Sequence, residues 1–218
     1  MGHVHLIAND PELIKRLWID VFGAKPAERG SLNGVYIKGT YVWIEKGASS
    51  GGTEGSVIRD IGLRVRNLEA VLKHAGQDGF YARQASRDSA QLLTPDRVLF
   101  ELIGDPGLDV EVCTDHFHLV VPDAPLARRW YSDRFGHPIS GIRLEFIAAG
   151  TRAKPTKGRA LDHVGFDVDN LEQYIAGAKE INWESRSAEI PEPGVRSAFL
   201  ADPWGTRIEL VERSRSAP

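Results

Sequence analysis

Cysteine is almost missing from this chain. The 218 residues contain one, Cys113, so no intrachain disulfide can form and zinc sites built from paired cysteines are excluded. Long apolar runs are missing as well. No stretch approaches the roughly 18 consecutive apolar residues of a membrane span. Neither sign of charge dominates: 27 Lys and Arg face 30 Asp and Glu, for a formal net charge of -3. With no basic run either, nucleic acid and acidic membranes are not expected partners. The N-terminal Met1-Gly2-His3-Val4-His5 enters a strand-like pattern at once, so no signal peptide is expected and a reducing cytoplasm fits. The chain does have apolar material for a sizeable core, 42% of its residues. Its length suits one large domain or two small ones.

It also has an internal repeat. His3-Val4-His5-Leu6-Ile7 returns as His116-Phe117-His118-Leu119-Val120, an offset of 116 − 3 = 113. The same offset carries Asp10 to Asp123, Trp18 to Tyr131 and Phe22-Gly23 to Phe135-Gly136. The halves also share an ending. Thr94-Pro95-Asp96-Arg97-Val98-Leu99-Phe100-Glu101 aligns without a gap on Asp202-Pro203-Trp204-Gly205-Thr206-Arg207-Ile208-Glu209. Within each half the pattern restarts, at Asp60-Ile61-Gly62-Leu63-Arg64-Val65 and at His163-Val164-Gly165-Phe166-Asp167-Val168. Both alternate with period 2, as strands do. Both run into helical stretches opened by Asn67 and Asn170, whose side chains can cap free N–H groups.

Four units therefore begin near residues 3, 60, 116 and 163, each reading strand, helix, then two or three strands. The third is short, with no room between Gly136 and Gly141 for the hairpin that Tyr36 to Glu45 supplies in the first. One unit leaves an apolar sheet face bare, so units must combine in pairs. The natural division lies near Val112, giving domains 1–112 and 113–218, with exchange of units in a homodimer as the other arrangement.

The paired units, the Asp202 to Glu212 ending and the segment Lys157 to Phe166 resemble the vicinal oxygen chelate superfamily, the group of glyoxalases, bleomycin-resistance proteins and extradiol dioxygenases. The resemblance covers nearly the whole chain and is sharper in the second half. It implies an α+β fold of four βαβββ modules in two paired-module domains, each pair forming a cup around a divalent metal. It places His116, His163 and Glu209 as metal ligands and Glu145 as a fourth. The ion would be Zn, Fe, Mn or Ni. Two imidazoles with one or two carboxylates form an open site that such ions accept, leaving positions free for a small substrate with adjacent oxygens.

Each residue has a plainer reading. A lone strand histidine is usually core packing, and a strand glutamate usually faces solvent. Two histidines at equivalent repeat positions, with Glu209 on the matching last strand, favour the metal. His118 shares a strand face with His116 and suits an acid–base role, or is itself the ligand if the register moves by two. In the first half the equivalent positions hold His3, Glu45, Asp60 and Glu101. The carboxylate-rich set suggests a degenerate site whose half shapes the pocket. His74 and His137 are expected in solvent, and Trp183 and Trp204 line either pocket or core.

Catechol cleavage is disfavoured. The position where the resemblance calls for an acid–base Tyr is Phe199, and Ala188 to Pro193 contains no His. Glyoxalase-like lyase or isomerase chemistry is the preferred expectation, with Glu209 or Glu145 moving a proton at the substrate. Another Fe(II) dioxygenation and a metal-free drug-binding protein are the alternatives.

Overall fold

The computed structural model describes residues 2–77, 80–135, 143–150, 153–177, 182–188 and 195–213. Unit one is β1 (Gly2–Ala8), α1 (Pro11–Arg16), β2 (Lys25–Arg29), β3 (Leu32–Ile37) and β4 (Thr40–Lys46). A π-helical turn at Leu17–Val21 extends α1. Unit two is β5 (Ile58–Val65), α2 (Leu68–Gln77), β6 (Tyr81–Gln84), β7 (Ser89–Leu93) and β8 (Leu99–Gly104). Unit three keeps β9 (Val112–Val121), α3 (Ala124–Phe135) and β10 (Arg143–Ala148). Unit four is β11 (Leu161–Asp167), α4 (Leu171–Gly177), β12 (Asn182–Ala188), β13 (Val195–Ala201) and β14 (Arg207–Arg213). The expected caps form: Asp10, Asn67, Asp123 and Asn170 each accept from an N–H three residues on.

The units pair across the halves. One sheet has eight strands in the order β12-β13-β14-β11-β1-β4-β3-β2, and the other has six in the order β10-β9-β5-β8-β7-β6. Unit one joins unit four through antiparallel β1 and β11, and unit two joins unit three through antiparallel β5 and β9. A boundary near Val112 therefore does not separate the sheets, and pairing within each half is corrected to a nested 1–4 and 2–3 arrangement. Unit three is short as expected, and among the described residues it adds one strand after its helix, which accounts for six strands rather than eight.

Parity decides which side chains enter the core. Val4, Leu6 and Ala8 of β1, Val164 and Phe166 of β11, and Ile208 and Leu210 of β14 are buried in one apolar cluster. Leu63 of β5, Phe100 and Leu102 of β8, and Phe117, Leu119 and Val121 of β9 belong to the same cluster. The intervening residues, including His3, His163, Glu209, Asp60, Glu101 and His116, point to the opposite faces. Aromatic contacts tie the sheets together. Trp18 and Phe22 of unit one meet Phe100 of unit two edge-on, at centroid distances of 5.3 and 5.8 Å. Tyr131 of unit three meets Trp204 of unit four, and its hydroxyl donates to Asp202 Oδ2 at 2.7 Å. Asp202 Oδ1 in turn accepts the N–H groups of Trp204, Gly205 and Thr206, fixing the turn into β14.

Phe100 is fully buried where the helical segment of unit one packs on the six-stranded sheet. Phe100→Ala should cost about 3–5 kcal/mol. Urea unfolding would show this as a fall in midpoint, and an unshifted midpoint would mean that the inter-sheet cluster does not bear on stability.

Candidate metal centres

The residues expected to form one site lie in two. His163 and Glu209 gather with His3, and His116 gathers with Asp60, Glu101 and His118; within each group one ligand atom per residue lies within 4.8 Å of the others. His116 does not share a centre with His163, because they belong to different sheets. The first-half residues lie in these groups as well: His3 in one, Asp60 and Glu101 in the other.

In the first centre, β1, β11 and β14 are adjacent strands. His3 pairs with Gly165, and Gly165 pairs with Glu209. The His3 ring lies across the backbone of Gly165, where an added Cβ would stand 1.9 Å from its Cε1. Crossing there brings His3 Nε2 to 2.9 Å from Glu209 Oε2. His163 Nε2 approaches the same oxygen to 3.3 Å without hydrogen-bond geometry, and is buried with no hydrogen-bond partner among the described residues. His163 Nδ1 lies 2.6 Å from Asp162 Oδ1. Asp162 is itself held by Gly158 N–H at 2.6 Å and by Arg207. With Nδ1–H donated to Asp162, the other ring nitrogen of neutral His163 presents a lone pair toward a carboxylate oxygen. Either a proton on Nε2 or a cation held between the two groups satisfies these facing lone pairs. A carboxylate behind a ligating imidazole is also the arrangement that fixes its tautomer and raises its basicity.

The electrostatics agree. Burial disfavours charge on His163, but the Asp162 bond and the Glu209 carboxylate beside it outweigh this and raise its pKa above the ordinary 6.5. Burial would raise Glu209, yet His163 and His3 beside it hold it well below the usual carboxylate range. For His3 burial wins and the pKa falls. His5 lies over His163 at a centroid distance of 4.7 Å. Burial first, then the neighbouring His163 and His3, bring its pKa down to about 3. His5 Nε2 is 3.2 Å from Glu45 Oε2 at the open edge of the cup. Phe199 stands edge-on to His163 at 5.1 Å, with the Arg207 guanidinium over its ring.

The second centre repeats this plan. Gly62 pairs with His116 on one side and Glu101 on the other, and an added Cβ would lie 2.3 Å from the His116 ring. His116 Nε2 reaches Glu101 Oε2 at 3.3 Å. Asp115 backs His116 Nδ1 at 2.8 Å and is held by Arg64 and Arg143. Burial opposes ionisation of Asp115, but the His116 and Arg64 bonds lower its pKa. His118 stands where His5 stands: its Nε2 is 3.2 Å from Glu145 Oε2, and its Nδ1 is 2.7 Å from Asp60 Oδ1. Glu145 is thus not beside Glu209, and meets the second centre through His118.

His74 is exposed, and Trp204 is buried against Trp130 and Tyr131 rather than lining a cup. Trp183 packs edge-on to Tyr174. His137 and residues 189–194 lie outside the described residues. The sequence reading passed over His5, Asp115, Asp162 and the two glycines. The signal was present, since an Asp precedes each of His116 and His163, and a Gly stands two residues after each of Asp60 and His163.

Solved structures share this architecture. Glyoxalase I from Zea mays superposes with a TM-score of 0.70 at 14% identity, over 97% of this chain and 92% of that one. The chain has the vicinal oxygen chelate fold. CppA from Streptococcus pneumoniae shares it, with a TM-score of 0.63 at 13% identity over 97% of this chain and 98% of that one. So does a Bacillus subtilis protein provisionally named a dioxygenase, at 0.67, 12%, 97% and 84%. Neither a protein-family model nor a curated relative matches the sequence. No helix among the described residues is long and apolar enough to cross a membrane.

The glycine crossings generate a test. Gly165→Ala should weaken ion binding at the first centre about tenfold or more by displacing His3, at a folding cost of about 1–3 kcal/mol from overpacking. Titration with Zn or Ni, alongside urea unfolding, separates the two effects. Wild-type affinity in Gly165→Ala would show that His3 need not cross there.

Proposed function

We propose that this chain is a metal-dependent vicinal oxygen chelate enzyme, a glyoxalase-like lyase or isomerase acting on a small substrate with adjacent oxygens. The observation that carries the proposal is the meeting of His3 Nε2 and His163 Nε2 on one buried oxygen of Glu209, with Asp162 fixing the His163 tautomer. This two-imidazole, one-carboxylate set fits Zn, Fe(II), Mn or Ni. A divalent ion held there would act as a Lewis acid toward the substrate's oxygens.

The chain's own groups supply the rest. The Asp162 and Arg207 bonds keep His163 from turning. Phe199 walls the cup with a ring that bears no hydroxyl, so it carries no proton. Glu45 and His5 form a hydrogen-bonded pair, with His5 mostly buried and Glu45 largely exposed. That pair is placed to take a proton at Glu45 and pass it to solvent, the role that Glu145 and His118 mirror in the second cup. Glu209, assigned both as ligand and as base from sequence, is better suited to ligation, because both histidines occupy one of its oxygens.

A second reading, an Fe(II) dioxygenase, is favoured by the ligand set itself, which is the one used by non-haem iron oxygenases. The metal content of the purified protein separates these readings. Zn, Ni or Mn favours lyase or isomerase chemistry, and iron favours the dioxygenase. No ion, even after reconstitution, would turn the reading to a metal-free binding protein. His163→Ala should lose the first-centre ion while keeping its fold. Ion binding should also strengthen as pH rises through the neutral range, because the raised His163 pKa means that a proton must leave before the ion enters. An affinity flat in pH would remove His163 from the ligand set.

A further inference from the structure

Against the six-stranded sheet lies a cavity of about 520 Å³ whose lining differs in kind from the metal centres. Three arginines line it, Arg59, Arg83 and Arg97. Its floor is apolar, from Leu93 and Leu99, and Tyr81 stands at its rim, 66% exposed.

Strand register connects this cavity to the second centre. Arg83 pairs with Gln91, Gln91 with Glu101, Glu101 with Gly62, and Gly62 with His116, one continuous row across β6, β7, β8, β5 and β9. At about 4.8 Å per strand, Arg83 stands two strands, or about 10 Å, from Glu101. Arg59 bridges the same interval from the other side. Its Nε lies 2.7 Å from Asp60 Oδ2, and its Nη2 lies 3.1 Å from His118 Nδ1.

Arg97 adds a backbone argument. Its φ is 64°, and among the described residues it is the non-glycine residue in the left-handed region. The repeat places Gly205 at the equivalent position, also with positive φ. An arginine thus stands where the sister unit uses the residue that this conformation favours. Strain retained at a site is a pointer to function. Its ion pair with Glu54 joins two well-exposed side chains, so it is screened by solvent and exchanges readily for another anion.

We propose that the second cup is a binding site for a small organic oxyanion, a carboxylate or a phosphate ester. Its charged head lies between Arg83 and Arg97, its apolar body lies on Leu93 and Leu99 beside Tyr81, and its far end is directed toward Glu101. Guanidinium groups match the planar or trigonal oxygens of such heads with paired N–H donors. The length of the row leaves room for a body about the size of a phenyl ring between head and centre. This site is independent of the ion at the first centre.

The test is calorimetric titration of the full chain with benzyl phosphate, 3-phenylpropionate and neutral benzyl alcohol, repeated on Arg83→Ala and Arg97→Gly. At least one oxyanion should bind and the alcohol should not. Preference for one head group would identify which class the site takes. Each variant should raise Kd about tenfold or more, the usual effect of losing a charge-assisted hydrogen bond. Arg97→Gly should do so with an unchanged or higher unfolding temperature, since glycine relieves the backbone, and a merely structural arginine would not give that combination. Equal binding of the alcohol, unchanged Kd in both variants, or no binding of either oxyanion would overturn the proposal.

Discussion

Both candidate centres depend on an imidazole reaching over a neighbouring strand. A histidine on β1 or β9 cannot meet a glutamate two strands away unless the strand between them offers no side chain at the crossing. Gly165 and Gly62 provide that gap, at matching places in the two sheets. The core-facing residues on either side hold the register, so the crossing point is fixed by apolar packing on the opposite face. Ligand geometry and hydrophobic core are therefore two faces of one strand pairing, and a slip by one residue would exchange them.

The two cups share a plan and differ in donors. Where the first has His163, the second has Asp60. The first centre thus offers two nitrogens and one carboxylate in near-complete burial, while the second offers two carboxylates beside His116 and His118 in a more open setting. Softer, nitrogen-preferring ions suit the first and oxygen-preferring ions the second. An aspartate stands behind both His116 and His163, so the two groups share this orienting carboxylate.

Much of this was legible in the sequence, and the limits have physical causes. The repeat, the caps, the period-2 strands and the shortened third unit all follow from local patterns. The fold brings His163 and Glu209 together because they lie in one unit. His116 was joined to them because the halves look like domains when read along the chain. Nothing local says which unit borders which, since the edges of β1, β5, β9 and β11 are chemically alike. That choice is made by long-range packing, including the Trp18, Phe22 and Phe100 contacts and the Tyr131 bond to Asp202. Once the pairing is known, His3 falls beside His163 and Glu209, and Asp60 beside His116 and Glu101.

Nesting also orders the assembly of the molecule in time. The six-stranded sheet draws on units adjacent in sequence, so it has everything it needs once β10 has been synthesised. The eight-stranded sheet has to wait for β11 and then β14, which lie at the far end of the chain. Until they arrive, β1 has β4 on one side and an open edge on the other, the edge that carries His3 and His5. Such distant pairing is slow, and an unpaired edge invites wrong partners. A growing chain would therefore hold a finished inner cup while its outer one is still half a wall.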